Sequence, residues 1–363
     1  SSDLADLVDK GRRPVSIPKN PAEGSEYLPL KIRIREKAFV SVSGRVMREA
    51  GWNLDRIDPE QLVVLNRGNQ IPISVNRVSA GILTTESTIE FVAEPLWDYD
   101  DQGNRRLPVY ALDNIYWLTS QQGGGRRIGQ EEAFARDVDI SDKLYPRSAP
   151  FTRHIEKDLY FNRLPSALNV DEPDHWFTTT PVIGGEKRTL DFSLAGPDQF
   201  STDLFTCRVK LMGKTEMPGE HSLELYLNDT FIGSGSWRGN REIFIETQGT
   251  SPTILRQGRN QLTLINRSSE GALAQLMLDW IAITYPRLYS SSSGSVEFNP
   301  PSAAAGRYCR FELDSFPVPR VEIYKNKSVR IFGPEITSRQ DTSGNEYYKV
   351  VLEDLVRDTE NEY

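Results

Sequence analysis

The chain has 363 residues, 38% hydrophobic and 26% charged, with a formal net charge of −8 at pH 7. That length exceeds what one hydrophobic core supports and predicts two or three domains. The acidic balance argues against a nucleic-acid partner, which calls for a basic face to neutralise phosphate. With a mean hydropathy of −0.49, the sequence holds no apolar run of about 18 residues, the length a membrane span needs.

Residues 1–29 mix charge, proline and glycine, and are expected to form a flexible N-terminal segment with at most one short helix at residues 3–9. From residue 30 the pattern changes to period two. In "LKIRIREKAFVSVSG", Leu30, Ile32 and Ile34 share one face while Lys31, Arg33 and Arg35 share the other, the signature of a half-buried strand in an antiparallel sheet. Residues 44–51 can form a helical turn. "QLVVLN" and "IPISV" flank Arg67-Gly68-Asn69 as a hairpin. "STIEFVAEPL" and "NIYWLTS" complete an N-terminal β domain over residues 30–120.

Residues 121–150, opening on "QQGGGRRIGQ", read as a linker or a loop excursion. A second unit spans residues 151–289. It carries seven short strands, among them "RTLDFSLAG", "LFTCRVKLMGK", "HSLELYLND" and "AQLMLDWIAITYPRLY", broken by Gly, Pro, Asn and Ser. Such spacing predicts a β-sandwich or jelly roll. Asn228-Asp229 suits a two-residue hairpin turn, where positive φ is needed. "SSSSGSVEFN" (290–299) reads as a low-complexity hinge. After it, "GRYCRFELD", "RVEIYKNKSVRIFG" with a turn at Lys325-Asn326-Lys327, and "EYYKVVLED" predict a small β domain, so that 290–363 forms the third unit. The fold class is therefore all-β, with consecutive β-sandwich domains.

The chemistry-bearing residues are sparse. Cys207 and Cys309 both lie inside alternating strand patterns, where a cysteine is ordinarily a small core residue. A disulfide between them and two free thiols both remain open. None of His154, His175 and His221 falls in an i, i+4 metal pair. "DEPDHWF" gathers Asp171, Glu172, Asp174 and His175, which can bind a cation or form a solvated acidic turn. "DYDDQGN" resembles a calcium loop through Asp98, Asp100, Gln102 and Gly103, but Val109 stands where the bidentate Glu belongs. "QQGGGRRIG" lacks the Lys-Ser/Thr of a phosphate cradle and reads as a flexible loop. Sequons occur at Asn228, Asn266 and Asn326. Trp97, Trp117, Trp176, Trp237 and Trp280 could stack on sugar, though core packing is the commoner use. Alternation puts Trp280 on the face of Leu278 and Ala282. Trp237, beside Arg238-Gly239 at a predicted corner, is the one expected to be exposed. Ligand contact therefore falls on Trp237, Arg238, Asp174 and His175; no catalytic residue, metal ligand or cofactor site is assigned.

The order of "KAFVSVSGRVMREAGWNLDRIDPEQLVVLNRGNQIPISV", "DNIYWLTSQQGGGRRI", "HIEKDLYFN", "LYLNDTFIGSGSWRG", "LRQGRNQLTLIN" and "LDWIAITYPRLY" resembles the non-catalytic N-terminal region of gingipain-type cysteine peptidases, nearest to surface peptidases of the type IX secretion sortase kind (PorU-like proteins). The resemblance implies a central jelly roll similar to galactose-binding-like modules. It implies an exported protein located extracellularly, at the cell surface or in the periplasm, with a signal peptide removed before Ser1. A caspase-like catalytic domain would follow Tyr363, so no catalytic residue is carried over. The partners implied are that downstream domain, other secretion-system or cell-surface proteins, and glycans. The rival reading is a stand-alone carbohydrate-binding or adhesion module.

Overall fold

The computed structural model describes residues 8–9, 28–99, 105–106, 108, 111–134, 143–162, 175–214, 220–269, 274–291, 294–341, 343–357 and 361–363. Among them, strands dominate and every named strand pairing with a printed register is antiparallel. The chain divides into two compact units, one of residues 1–131 and 322–332, the other of residues 132–321 and 333–363.

In the first unit, a five-stranded sheet runs in the order Val8–Asp9, Leu30–Ile34, Asn114–Ser120, Leu62–Asn66, Asn69–Ile71. A three-stranded sheet joins Ala38–Ser43, Thr88–Ala93 and Ser74–Asn76. The alternation read from the sequence operates here: Leu30, Ile32 and Ile34 are buried in one core with Val40, Val42 and Phe91. Val8–Asp9, expected within a short helix, instead pairs as a strand with Ile32 and Lys31. Residues 3–7 of that expectation lie outside the described residues. The predicted helical turn is present as Gly44–Glu49, capped by the Ser43 side chain accepting from the Val46 amide. Arg67 and Gly68 close the predicted hairpin with φ of 50° and 82°, the left-handed pair that a two-residue turn requires.

The glycine-rich stretch after residue 120 is held in place. The Arg127 guanidinium donates to the carbonyls of Leu62, Pro59 and Glu60 at 3.1, 2.8 and 2.8 Å, and the Gly125 amide donates to the Glu60 carbonyl at 3.3 Å. Gly125 permits this approach, since a Cβ there would stand 2.3 Å from the Leu62 carbonyl oxygen. Gly129–Glu132 then forms a strand against Val329–Phe332, which pairs with Ile323–Lys325. That hairpin, expected within the small third domain, belongs to the first unit.

The second unit is built on two four-stranded antiparallel sheets. One runs Ser148–Glu156, Leu276–Leu288, Thr206–Gly213, Glu242–Glu246; the other runs Lys187–Leu194, Gly258–Asn266, Glu220–Leu227, Thr230–Arg238. Counted along the chain, the sheets read first-eighth-third-sixth and second-seventh-fourth-fifth, the strand order of a jelly roll. Their inner faces share one core, with Leu190, Phe192, Leu223, Leu225 and Leu264 from one sheet and Val209, Leu211, Ile281 and Ile283 from the other. Asn228 and Asp229, at φ of 48° and 67°, make the predicted turn.

Residues 290–321 and 333–363 also belong to this unit. Arg307–Phe316, Glu346–Val356 and Glu335–Gln340 form a three-stranded sheet. The stretch expected as a low-complexity hinge carries Phe298, which is buried and stacks on Tyr363 at 5.0 Å and 12°. Their backbones exchange two hydrogen bonds, of 3.1 and 2.9 Å. Phe311 and Tyr289 close the same aromatic box.

The Gly125 lock is directly testable. Gly125→Ala is expected to destabilise the chain by about 1–3 kcal/mol, because the methyl group must displace a carbonyl that Arg127 also uses. Urea denaturation of the variant beside wild type checks it.

Candidate functional site

Cys207 and Cys309 are free and buried, each with 0% exposure. Cys207 lies in the sandwich core with Val209 and Leu211, and burial pushes its thiol up to about 12. Burial likewise pushes Cys309 up to about 11, with Arg307 and Asp354 the charges it feels. No imidazole contributes to either. His154 Nε2 lies 2.8 Å from Glu156 Oε2, His175 Nδ1 lies 3.3 Å from the Asn162 carbonyl, and His221 stacks on Trp237 at 4.9 Å. A thiol held protonated and sealed from solvent is no nucleophile.

Of the residues singled out for ligand contact, Trp237 and Arg238 stand on opposite faces of one strand. Trp237 is a correction: it is 4% exposed and part of the sandwich core. The strand Thr230–Arg238 runs through it, and the chain turns only at Gly239, whose φ is 79°. The indole packs where Gly213 leaves room, since a Cβ there would stand 2.6 Å from Trp237 Nε1. Arg238, on the opposite face, is exposed. His175 is half-buried beside Phe161. Asp171, Glu172 and Asp174, and residues 100–103 of the calcium-like loop, lie outside the described residues. Among the described residues no group of three His, Cys, Asp or Glu side chains could hold a metal.

Trp280 is also buried, at 1%, but not on the face that strict alternation predicts. The register slips between Val209 and Leu211, so that Asp279 and Trp280 both stand opposite the single residue Lys210. Such a bulge returns Ile281 to the core side with Leu278. It sets Asp279 Oδ2 3.0 Å from Lys210 Nζ, with Glu242 Oε1 at 3.4 Å. Trp280 then packs against His154 and Phe244. Lys210 and Asp279 are 3% and 2% exposed, so the pair tethers two neighbouring strands beneath solvent.

The described residues of the second unit enclose a cavity of about 410 Å³, within the range of small-molecule sites. It lies where the end of Leu276–Leu288 meets the segment 145–147 and one face of Arg307–Phe316. Its polar lining comes from Arg147, Ser290, Arg310, Glu312 and Asp314, with Tyr145 as an exposed aromatic ring at 54%. The backbone fixes these pieces: Leu144 donates to the Tyr308 carbonyl at 2.8 Å and accepts from Arg310 at 2.8 Å, and Asp314 donates to the Tyr289 carbonyl at 2.8 Å.

Its charges are mutually engaged. Arg310 reaches Glu353 at 3.3 Å and both Glu312 and Glu335 at 3.7 Å. Lys349 pairs with Glu312 and holds its carboxyl below the usual carboxylate range. Arg147 reaches Asp198 at 3.4 Å. None of these residues was singled out by the sequence. The only signal was alternation in "YCRFELDSF", which puts Arg310, Glu312 and Asp314 on the face opposite Cys309, Phe311 and Leu313.

With this geometry in hand, the chain can be set beside known proteins. No protein-family profile and no curated protein matches its sequence. Its fold is that of part of PorU. The crystal structure of dimeric latent PorU from Porphyromonas gingivalis superposes at a TM-score of 0.57 with 15% identity, over 92% of this chain and 31% of that one. The chain thus spans about a third of PorU's length. The CBM36-1 domain of a multidomain xylanase from the hindgut metagenome of Trinervitermes trinervoides overlaps 37% of this chain and 96% of its own, at 9% identity and a TM-score of 0.26. A family 35 carbohydrate binding module from an environmental isolate overlaps 38% and 98%, at 13% and 0.26. Scores that low carry no argument.

Two outcomes follow. Native protein at pH 8 should leave both thiols unlabelled by iodoacetamide, since about one in 10⁴ Cys207 and one in 10³ Cys309 would be thiolate at those acidities; mass spectrometry should find both labelled in urea. Asp279→Ala should cost up to about 3 kcal/mol by leaving buried Lys210 with only the more distant Glu242 as a carboxylate partner, and Lys210→Met in the same chain should recover much of it. Urea denaturation of the single and double variants measures both.

Proposed function

We propose that this chain is a non-catalytic accessory region of a longer, exported cysteine peptidase of the gingipain type, and that it positions a catalytic domain and mediates contact with other cell-surface proteins. The observation that carries this reading is the coverage: 92% of this chain, both compact units included, follows the fold of about a third of PorU. The buried, protonated thiols support it from the chemical side, because they leave peptide cleavage to residues elsewhere in a parent protein. An exported location accords with the same likeness, and no described helix is long and apolar enough to cross a membrane.

The test is a deletion in the parent protein, expressed in its own host. Removing residues 30–363 should abolish accumulation of active enzyme, read as cleavage of a peptide substrate and as the amount of mature protein at the cell surface. Unchanged cleavage and maturation would overturn the scaffold role and favour a stand-alone adhesion module.

A further inference from the structure

We propose that the cavity bounded by Tyr145, Arg147, Arg310, Glu312 and Asp314 is a saccharide-binding site, which takes a neutral sugar of one or two rings. This goes beyond the accessory role and holds whether or not a peptidase domain follows. The inference rests on what the lining admits and refuses.

An anion would meet Glu312 and Asp314 in the same wall, and the guanidinium best placed to attract it, Arg310, already faces three carboxylates within 3.7 Å. A cation would meet Arg147 and Arg310. An apolar ligand would have to desolvate four charged side chains, which costs several kcal/mol. What remains is a neutral ligand that presents donors and acceptors in alternation. Ring hydroxyls do this: each can accept from a guanidinium N–H and donate to a carboxylate oxygen, and bonds to charged partners are the stronger kind. Tyr145 supplies a flat apolar face, with over half its surface open, against which the C–H side of a pyranose can lie.

The site is also preorganised. Arg310, Glu312 and Asp314 are successive outward residues of one strand, and Arg310 and Asp314 are each tied by backbone hydrogen bonds to the segments that carry Tyr145 and Ser290. Ion pairs with Glu353 and Lys349 hold the planar ends of Arg310 and Glu312 before any ligand arrives, which lowers the ordering cost of binding.

The experiment uses the purified full chain on an array of neutral and charged mono- to tetrasaccharides, with hits measured by titration calorimetry. Tyr145→Ala and Asp314→Asn, both at solvent-facing positions, should each weaken binding of the hit at least tenfold. Phe231→Ala, an exposed aromatic on the other sheet of the sandwich, should leave it unchanged. Thermal melts establish that all three variants are folded. A folded protein that binds no neutral saccharide, or binds one equally well with Tyr145→Ala, would overturn the proposal. So would a thermal shift with free amino acids that depends on Tyr145 and is absent with sugars, since a zwitterion would then be the ligand.

Discussion

The strand Leu276–Leu288 is the element on which the second unit depends. At 13 residues it is the longest described. It pairs along its length with Ser148–Glu156 on one side and Thr206–Gly213 on the other. Its inward residues Leu278, Ile281, Ile283 and Tyr285 fill the sandwich core. A strand buried on both faces cannot alternate cleanly between apolar and polar residues, and this one does not. Its single bulge lets it serve two environments: an apolar core on one side, and the Lys210–Asp279 pair with Trp280 on the other. Where the strand ends, Tyr289 enters the aromatic box around Phe311 while the backbone at Leu288 and Ser290 borders the cavity. Sandwich, box and cavity therefore share one piece of chain.

The same burial that stabilises the sandwich silences its thiols. A cysteine in the core contributes as an apolar side chain, and taking it out of water penalises the thiolate, so its acidity and its stabilising role oppose each other. Reactivity would need a charge or an imidazole at the sulfur, and the core around Cys207 offers neither. Two buried asparagines of this unit show how polar groups are held there. Asn266 donates to the carbonyls of Val182 and Ala274 and accepts from Ser268, and Asn228 donates to the Ile254 carbonyl and to Asn260. Two of the three sequons thus have side-chain amides committed to the fold, and an amide so engaged is a poor acceptor for a glycan.

The sequence exposed the fold where the physics is local. Period-two alternation located the strands at Leu30, Lys187 and Glu220, and Asn-Asp and Arg-Gly pairs located turns whose φ is positive. It misled where a non-local effect intervened. Periodicity pairs Trp280 with Leu278, but a bulge opposite Lys210 on the partner strand, invisible to periodicity, separates them. The Trp-Arg-Gly run suggests a corner at Trp237, yet the strand continues through Arg238 and turns only at Gly239. The hairpin Ile323–Phe332 read correctly as a hairpin, yet its neighbour in the sheet is Gly129–Glu132, nearly two hundred residues away, and local pattern carries no such information. The cavity was illegible for the same reason. Its walls come from three segments, one of them more than a hundred residues before the other two, and none carries a local pattern that marks a site.

A jelly roll alone presents flat sheet faces and loops. Here a three-stranded sheet adjoins the end of the sandwich's longest strand, and residues of both line the hollow. Because one wall is the regular outer face of a strand, its side chains fall at every second position, about 6.6–6.8 Å apart, a spacing comparable to the width of a sugar ring. Along that wall Arg310 is followed by two acids, Glu312 and Asp314, and Arg147 in the same lining balances them, so the four charges sum to zero. The hollow thus draws its walls from the end of one sheet's longest strand and the outer face of another sheet's strand.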